Sequence, residues 1–338
     1  MKISSLVDEL LTVGLNVRTN VPLGLFTTYG VGGLGACVVK LGSREDALAI
    51  ASVLSQYPEV PIVVMGRGSN LLISDSGFDG VIVQMAISPE ENQVEVINDV
   101  LHANGAMLLP VLARRSVNAG RGGLEWCVGV PGTVGGAVRM NAGGHGADMS
   151  SAVVDATVLS LRSGQVGSVT ADQLGFYFRG SALSPHHIVQ SVRLRTVAQE
   201  STVGTSEINT VVGWRREHQP GGRNAGSVFV NPGTGAGSAG SLIDSAHLRG
   251  YSVGSAQVSE KHANFIQASD GALASDIAEV MTHVQDTVEQ IHGVRLYSEV
   301  CLVGFSSEIM NRFSNPLHSS IEMLAAQQKV RMILGEES

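Results

Sequence analysis

Between Ala274 and Ile291 the apolar residues Ile277, Val280, Met281, Val284, Val288 and Ile291 form one continuous stripe. Their three- and four-residue spacing is that of a helix with one face in a core. Gly293 follows as a C-terminal stop. Helical spacing also covers residues 45–56, Met107 to Asn118, and Thr202 to His218, the last closed by Gln219-Pro-Gly-Gly222. Short apolar or alternating runs predict strands at Pro61 to Met65, Val81 to Met85, Gln93 to Val96, Val153 to Leu161 and Ile188 to Leu194. A further strand is predicted over Val294 to Val303, with Arg295, Tyr297 and Glu299 on one face and Leu296, Val300 and Leu302 on the other. Met1 to Leu11 carries acids inside its apolar stretch and reads as a short helix, not a signal peptide. Strands and helices alternate without a regular βαβ rhythm, which predicts an α+β arrangement. The loose stretch Ala198 to Thr205 places a domain boundary near residue 200.

Two glycine-rich runs interrupt this pattern. Gly129-Val-Pro-Gly-Thr-Val-Gly-Gly-Ala-Val-Arg-Met-Asn-Ala-Gly-Gly144 has seven Gly or Pro among its sixteen residues, no Lys and one Arg. Such a loop suits a pyrophosphate held by main-chain N–H groups, and taken alone it equally suits a tight turn without a ligand. The second run, Val63-Val-Met-Gly-Arg-Gly-Ser-Asn-Leu-Leu-Ile-Ser-Asp75, is a strand broken at Gly66 to Asn70. It contains Gly-x-Gly, but Leu71 stands at the third glycine of the dinucleotide fingerprint and no long helix follows. A standard nicotinamide fold is excluded, and the Walker pattern is absent.

Composition narrows the classes. The 338 residues allow two or three domains, and 43% are hydrophobic while only 15% are charged. A net charge of −8 with no basic run argues against nucleic acid as a partner. An anionic nucleotide would have to be bound locally, by backbone donors and a few cations. No apolar run is long enough to span a membrane. Cys37, Cys127 and Cys301 are widely spaced in apolar contexts, form no metal pattern, and fit a reducing cytoplasm.

Together with Gly123-Leu-Glu-Trp126, Ala225-Gly-Ser-Val-Phe-Val-Asn-Pro232, Val258-Ser-Glu-Lys-His-Ala-Asn-Phe-Ile266 and Ser298-Glu-Val300, the two runs occur in the order seen in UDP-N-acetylenolpyruvoylglucosamine reductases. The resemblance covers roughly residues 10–305. The segment from Val258 resembles the subclass with the shorter substrate domain. It implies a flavin-oxidase-like, non-Rossmann FAD-binding domain of two α/β subdomains, residues 1–80 and 81–200. A C-terminal α+β substrate domain follows over 201–305, and a tail over 306–338 that is either a docked or partner-binding helix or poorly ordered. The implied activity is NADPH-dependent reduction of a UDP-sugar enolpyruvate in peptidoglycan precursor synthesis, in the cytoplasm, by a monomer. NADPH and substrate would use one cleft in turn.

The same resemblance implies residue roles. FAD would be held by Gly66, Arg67, Gly68, Ser69 and Asn70, and by Gly129, Pro131, Gly132, Thr133, Gly135, Gly136, Asn141 and Ala142. Ser227 would be the proton donor, Arg179 the clamp on the substrate carboxylate, and Glu299 a carboxyl pushed toward its protonated form. Asn231, Lys261, His262 and Asn264 would face the substrate. No metal is implied. Trp126 and Tyr29 would flank the flavin or pack in the core.

The chain departs from the family pattern at several cations and one hydroxyl. Phe178 stands where Tyr is usual, Val230 and His218 where Lys is common, and Gly30 and Cys301 where Arg is common. Arg215, Arg216 and Arg223 are the candidates to take over phosphate contacts. Two other classes stay open on the residues alone. One is an FAD-linked oxidase of the wider fold, for which His145 is the histidine beside a glycine loop. The other is a non-catalytic flavin or nucleotide sensor.

Overall fold

The computed structural model describes residues 2–86, 92–233 and 235–336. Its first sheet has the spatial order Asn16–Pro22, Leu34–Leu41, Phe78–Met85, Ile62–Met65. The last three strands are mutually parallel, and the first pairs antiparallel with Leu34–Leu41. Alternation explains its two covered faces. Cys37, Val39 and Leu41 point toward Leu6, Leu10, Ile50 and Leu54 of the helices Lys2–Thr12 and Arg44–Leu54. Val38 points to the opposite side, with Leu23, Met65, Ile73 and Ile82. Ser43 starts the second helix by accepting the Asp46 N–H (3.0 Å). The boundary expected at residue 80 lies inside the strand Phe78–Met85.

The second sheet is antiparallel throughout, in the order Val166–Thr170, Val153–Ser160, His187–Arg195, Val100–Asn104, Glu95–Ile97. Its core takes side chains from the helices Leu109–Asn118 and Val134–Met140 and from Ser201–His218, which contributes Ile208 and Val211. Although it lies beyond the boundary expected at 200, Ser201–His218 therefore packs on the second sheet.

A third core gathers the three-stranded sheet Ser252–Val253, Ala256–Val258, Ile266–Ala268 and the helices Ala239–Ser245 and Ala274–His292. The stripe read from the sequence is what Ala274–His292 buries, with Ile277, Val280, Met281, Val284 and Val288 inside, while Ile291 remains exposed. Tyr29 belongs to this core and Trp126 to that of the second sheet, both buried.

Val294 to Val303 is not one strand. Only Cys301–Val303 pairs regularly, in parallel with Leu71–Ile73. The residues before it remain engaged but share their hydrogen bonds among three neighbours. Ser298 N–H donates to the Phe313 carbonyl, Glu299 N–H to Val228, and Cys301 N–H to Asn70. A ladder with a single partner strand cannot form under that arrangement. Its irregular course brings Glu299 to the junction of the Asn70 loop, the third core and the C-terminal segment.

The C-terminal segment is docked and helical. Helices Ser307–Phe313 and Ile321–Ile333 flank the turn Pro316–Ser319. Phe313 is buried in the third core, whereas Met323, Val330 and Leu334 are buried in the core of the second sheet. Glu336 Oε1 accepts from Ser160 Oγ (2.5 Å) and lies 2.9 Å from Nε2 of both His186 and His187. His186, His187 and Glu336 have the spacing of metal ligands. However, His187 Nδ1 accepts the Ser184 N–H (3.0 Å). The ring proton therefore sits on Nε2 and is donated to the carboxylate, so the trio is a hydrogen-bonded clamp on the tail. Burial pushes the Glu336 carboxyl up, but hydrogen bonds from His186, His187 and Ser160 outweigh it and hold it far below the usual carboxylate range.

Candidate active site

A cleft of about 460 Å³ opens where the three cores meet. Its first wall is the loop Gly66 to Asn70, which leaves the end of the strand Ile62–Met65. Gly68 has φ +61°, and a Cβ there would stand 2.0 Å from the Phe26 carbonyl oxygen. Only glycine fits. The second wall is the loop Gly129 to Thr133 and the start of the helix Val134–Met140. Ser69 Oγ donates to the Pro131 carbonyl (2.6 Å), and a Cβ on Gly66 would meet Thr133 Oγ1 at 2.4 Å. The two glycine runs are thus locked against each other. The backbone N–H groups of Arg67, Gly68, Ser69 and Asn70 donate to no acceptor among the described residues. Free donors on a glycine cradle are the chemistry a pyrophosphate needs, so the residues fit FAD.

Of the expected flavin contacts, Gly66, Arg67, Gly68, Ser69, Asn70, Gly129, Pro131, Gly132, Thr133, Gly136 and Ala142 line the cleft. Gly135 and Asn141 do not. Gly135 lies against the second sheet and donates its N–H to the Gly105 carbonyl (2.7 Å). Asn141 is buried in a left-handed conformation, φ 42°, at the end of the helix Val134–Met140. It donates to the Tyr177 carbonyl (3.0 Å) and accepts the Ser150 N–H (2.9 Å), so it ties the loop to its surroundings.

The far wall carries the ionisable chemistry. Arg179, Ser227 and Glu299 all line the cleft. Arg179 Nε lies 3.0 Å from Glu299 Oε1, and its Nη2 donates to the Gly143 carbonyl (3.1 Å). The Phe178 ring lies 4.5 Å from the Arg179 guanidinium carbon. It keeps the cationic stacking contact of an aromatic residue without the hydroxyl. Burial pushes the Glu299 carboxyl up to about 7, and Arg179 only partly opposes this. Near neutral pH the group is therefore divided between acid and carboxylate. The Val228 carbonyl accepts the Glu299 N–H (2.7 Å), which sets Ser227 beside Glu299. Gly226 precedes Ser227 with φ +77°. The Ser227 hydroxyl forms no hydrogen bond among the described residues.

Of the residues expected to face the substrate, only His262 lines the cleft. Asn264 is buried and brackets Phe229, accepting its N–H and donating to its carbonyl (both 2.9 Å), and so fixes the segment that bears Ser227. Asn231 accepts the Ala239 N–H (3.0 Å) at the start of the helix Ala239–Ser245. Lys261 Nζ donates to the Arg216 carbonyl (2.7 Å) near the end of Ser201–His218. Of the candidate phosphate cations, Arg215 lines the cleft and Arg216 and Arg223 do not. Burial lowers the pKa of Arg215, which bonds Gln219 Oε1 through Nε (2.6 Å) while its terminal nitrogens have no acceptor among the described residues. Arg223 lies over Gly30, where a Cβ would stand 3.1 Å from its Cδ.

Arg139 and Trp214 also line the cleft and were not among the candidates. Arg139 had a visible signal, since it is the one cation in the sixteen-residue glycine run. Trp214 had none, because an aromatic in a helix reads first as core. It stacks on His218 with ring centroids 4.6 Å apart and meets the His145 ring edge-on at 5.0 Å.

The chain is similar to known proteins over most of its length. Residues 218–303 match the domain described as UDP-N-acetylenolpyruvoylglucosamine reductase, C-terminal domain, and residues 35–170 match an FAD binding domain. The UDP-N-acetylenolpyruvoylglucosamine reductase of Synechococcus sp. (strain RCC307) is 39% identical over 296 residues, which is 86% of this chain and 95% of that protein. The crystal structure of UDP-N-acetylenolpyruvylglucosamine reductase from Thermus caldophilus superposes with a TM-score of 0.73 at 32% identity, covering 86% of this chain and 99% of that one. The BBE-like 1 protein of Physcomitrella patens shares the fold alone, with a TM-score of 0.59 at 12% identity over 96% of each chain. With two matched domains in register and relatives aligned over nearly their whole length, the chain belongs to the UDP-N-acetylenolpyruvoylglucosamine reductase family.

Proposed function

We infer that the cleft reduces UDP-N-acetylglucosamine enolpyruvate to UDP-N-acetylmuramate at the expense of NADPH, a step of peptidoglycan precursor synthesis. The observation that supports this most directly is the convergence of Arg179, Ser227 and Glu299 on one cleft with the glycine cradle. FAD, when bound and reduced by NADPH, would supply the hydride for the enolpyruvyl double bond. The loop Arg67 to Asn70 would hold it through backbone donors, with Gly129 to Thr133 as the opposite wall.

The remaining chemistry belongs to the chain. Arg179 clamps the substrate carboxylate and offsets the negative charge that grows there during reduction. Glu299, held near its midpoint at neutral pH, donates a hydrogen bond from its protonated form to that same carboxylate. Hydride addition to one carbon leaves its neighbour enol-like and strongly basic. Only such an acceptor draws a proton from an acid as weak as serine. Ser227 donates it from Oγ and regains one from water. Arg215 holds a phosphate of the UDP group, and His262 flanks the sugar side.

On this reading the substrate domain begins after Ser201–His218, whose buried side chains go with the second flavin subdomain. No helix among the described residues is long and apolar enough to cross a membrane. We place the reaction in the cytoplasm, where NADPH and nucleotide sugars are found. One chain holds every residue invoked, so a monomer suffices.

The test is NADPH consumption by the flavin-loaded protein with and without UDP-N-acetylglucosamine enolpyruvate. The reading requires oxidation that depends on this substrate and proceeds without oxygen uptake. Substrate-independent oxygen consumption, or flavin that stays on the denatured chain, would return the function to an FAD-linked oxidase.

A further inference from the structure

We propose that His318, on the C-terminal segment beyond the family-matched domains, is a positioning residue for Arg179 and acts through Tyr177. The proposal rests on the role given to Arg179 above. It starts from the backbone at that arginine. Tyr177 and Gly180 exchange both main-chain hydrogen bonds (3.0 and 3.1 Å), closing a turn with Phe178 and Arg179 at its tip. Arg179 sits there with φ +65°. That conformation is strained for a non-glycine residue, so the turn has to be held from outside.

Two contacts hold it. On one side Asn141 Nδ2 donates to the Tyr177 carbonyl (3.0 Å). On the other the Tyr177 ring lies across Gly180, where a Cβ would stand 2.0 Å from Cζ of that ring. Any shift of the ring moves Gly180, and with it the arginine beside it. The ring is placed by His318, which hydrogen-bonds the Tyr177 hydroxyl and meets the ring edge-on with centroids 5.3 Å apart.

His318 can do this because its own turn, Pro316–Ser319, is anchored at both ends. Phe313 is buried in the core of the substrate domain, and Val330 and Leu334 are buried against the second sheet. Asn315 Oδ1 accepts the Leu317 N–H (3.0 Å) and starts the turn. Space borders the Arg179–Glu299 pair on this side. A second cavity, about 470 Å³, lies there, lined by Arg139, Arg179, Glu299, Cys301, Asn315 and His318 among others. The His318–Tyr177 contact spans the gap from the tail to the turn that aims the guanidinium.

The test follows the two half-reactions of the holoenzyme separately in stopped flow. His318 is exposed, so its replacement leaves the fold intact. His318→Ala and Tyr177→Phe each slow reoxidation of reduced flavin by the enolpyruvyl substrate by about tenfold, the scale of a small misplacement of a catalytic group. The double variant is no slower than either single, because both cut one link. His318→Gln, whose amide reaches the hydroxyl, recovers part of the rate. Flavin reduction by NADPH and Tm stay at wild-type values. A His318→Ala rate within about twofold of wild type, or single effects that multiply in the double variant, overturns the proposal. So does a parallel fall in Tm and in both half-reactions, which marks a purely structural contact. Arg179→Ala separates the two failures. Slow reoxidation there with none in His318→Ala sinks only the positioning role, and unimpaired reoxidation in Arg179→Ala sinks the role of the arginine itself.

Discussion

The glycine cradle and the Arg179–Glu299 corner face the same cleft and present their chemistry by opposite means. The cradle works through backbone. Its glycines occupy conformations and close approaches that a Cβ would spoil, and its donors are main-chain N–H groups. The corner works through side chains on irregular backbone, at a left-handed arginine and a glutamate whose neighbours bond to three different elements. A cradle built of backbone is written locally and changes little with its surroundings. A corner built of charges depends on what buries it, as the displaced pKa of Glu299 shows.

Substitutions can pull the two halves apart. The largest effect is expected from Ser227→Ala, which should slow substrate reduction by about a thousandfold, within the range of a lost general acid, while NADPH still reduces the flavin. Normal turnover by that variant would remove Ser227 from the mechanism. Gly68→Ala attacks the cradle instead. Its methyl would collide with the Phe26 carbonyl oxygen, and the protein should purify with little flavin and bind added FAD weakly. Full retention of FAD would show that the loop moves freely. Arg215→Ala should raise the substrate KM by about tenfold with kcat little changed, the loss of one charge-assisted hydrogen bond to a phosphate.

Changing pH tests the corner without altering a residue. Because the pKa of Glu299 is raised to about 7, its protonated form is present below that value and lost above it. The substrate half-reaction should therefore fall as pH rises through about 7, with NADPH-dependent flavin reduction flatter over the same window. In Glu299→Gln, which cannot ionise, that fall should vanish. The smallest effect on catalysis belongs to the tail clamp. Glu336→Gln should lower stability by about 2 kcal/mol, the scale of hydrogen bonds to a buried charge, measured by denaturant unfolding. The Glu336 pKa is depressed, so this contribution is complete above the ordinary carboxylate range and fades only in acid as the group protonates.

Much of this architecture was readable from residues. The stripe of Ala274–His292, the strand Ile62–Met65 and both glycine loops follow from local pattern, because side-chain period and glycine conformation are local properties. The segment Val294 to Val303 reads as one strand for the same reason, since its faces alternate correctly. Its partners, however, are Val228, Phe313 and Asn70, which no local pattern announces. Asn264, Asn231 and Lys261 illustrate a different gap. A polar residue in a motif looks alike whether it meets a ligand or a neighbouring backbone group. Here all three have backbone partners. The tail could not be placed from sequence either, because the apolar residues of a short helix do not say which core receives them.

What the sequence by itself determined is the family, the glycine cradle and the identity of the ionisable groups, since motif order and glycine placement are carried along the chain. Tertiary structure alone decided that Arg179 meets Glu299, that burial raises the glutamate toward neutrality, and that the tail brings His318 to Tyr177. Those outcomes depend on distance and exclusion of water between segments far apart in sequence, and both arise only once the cores have packed.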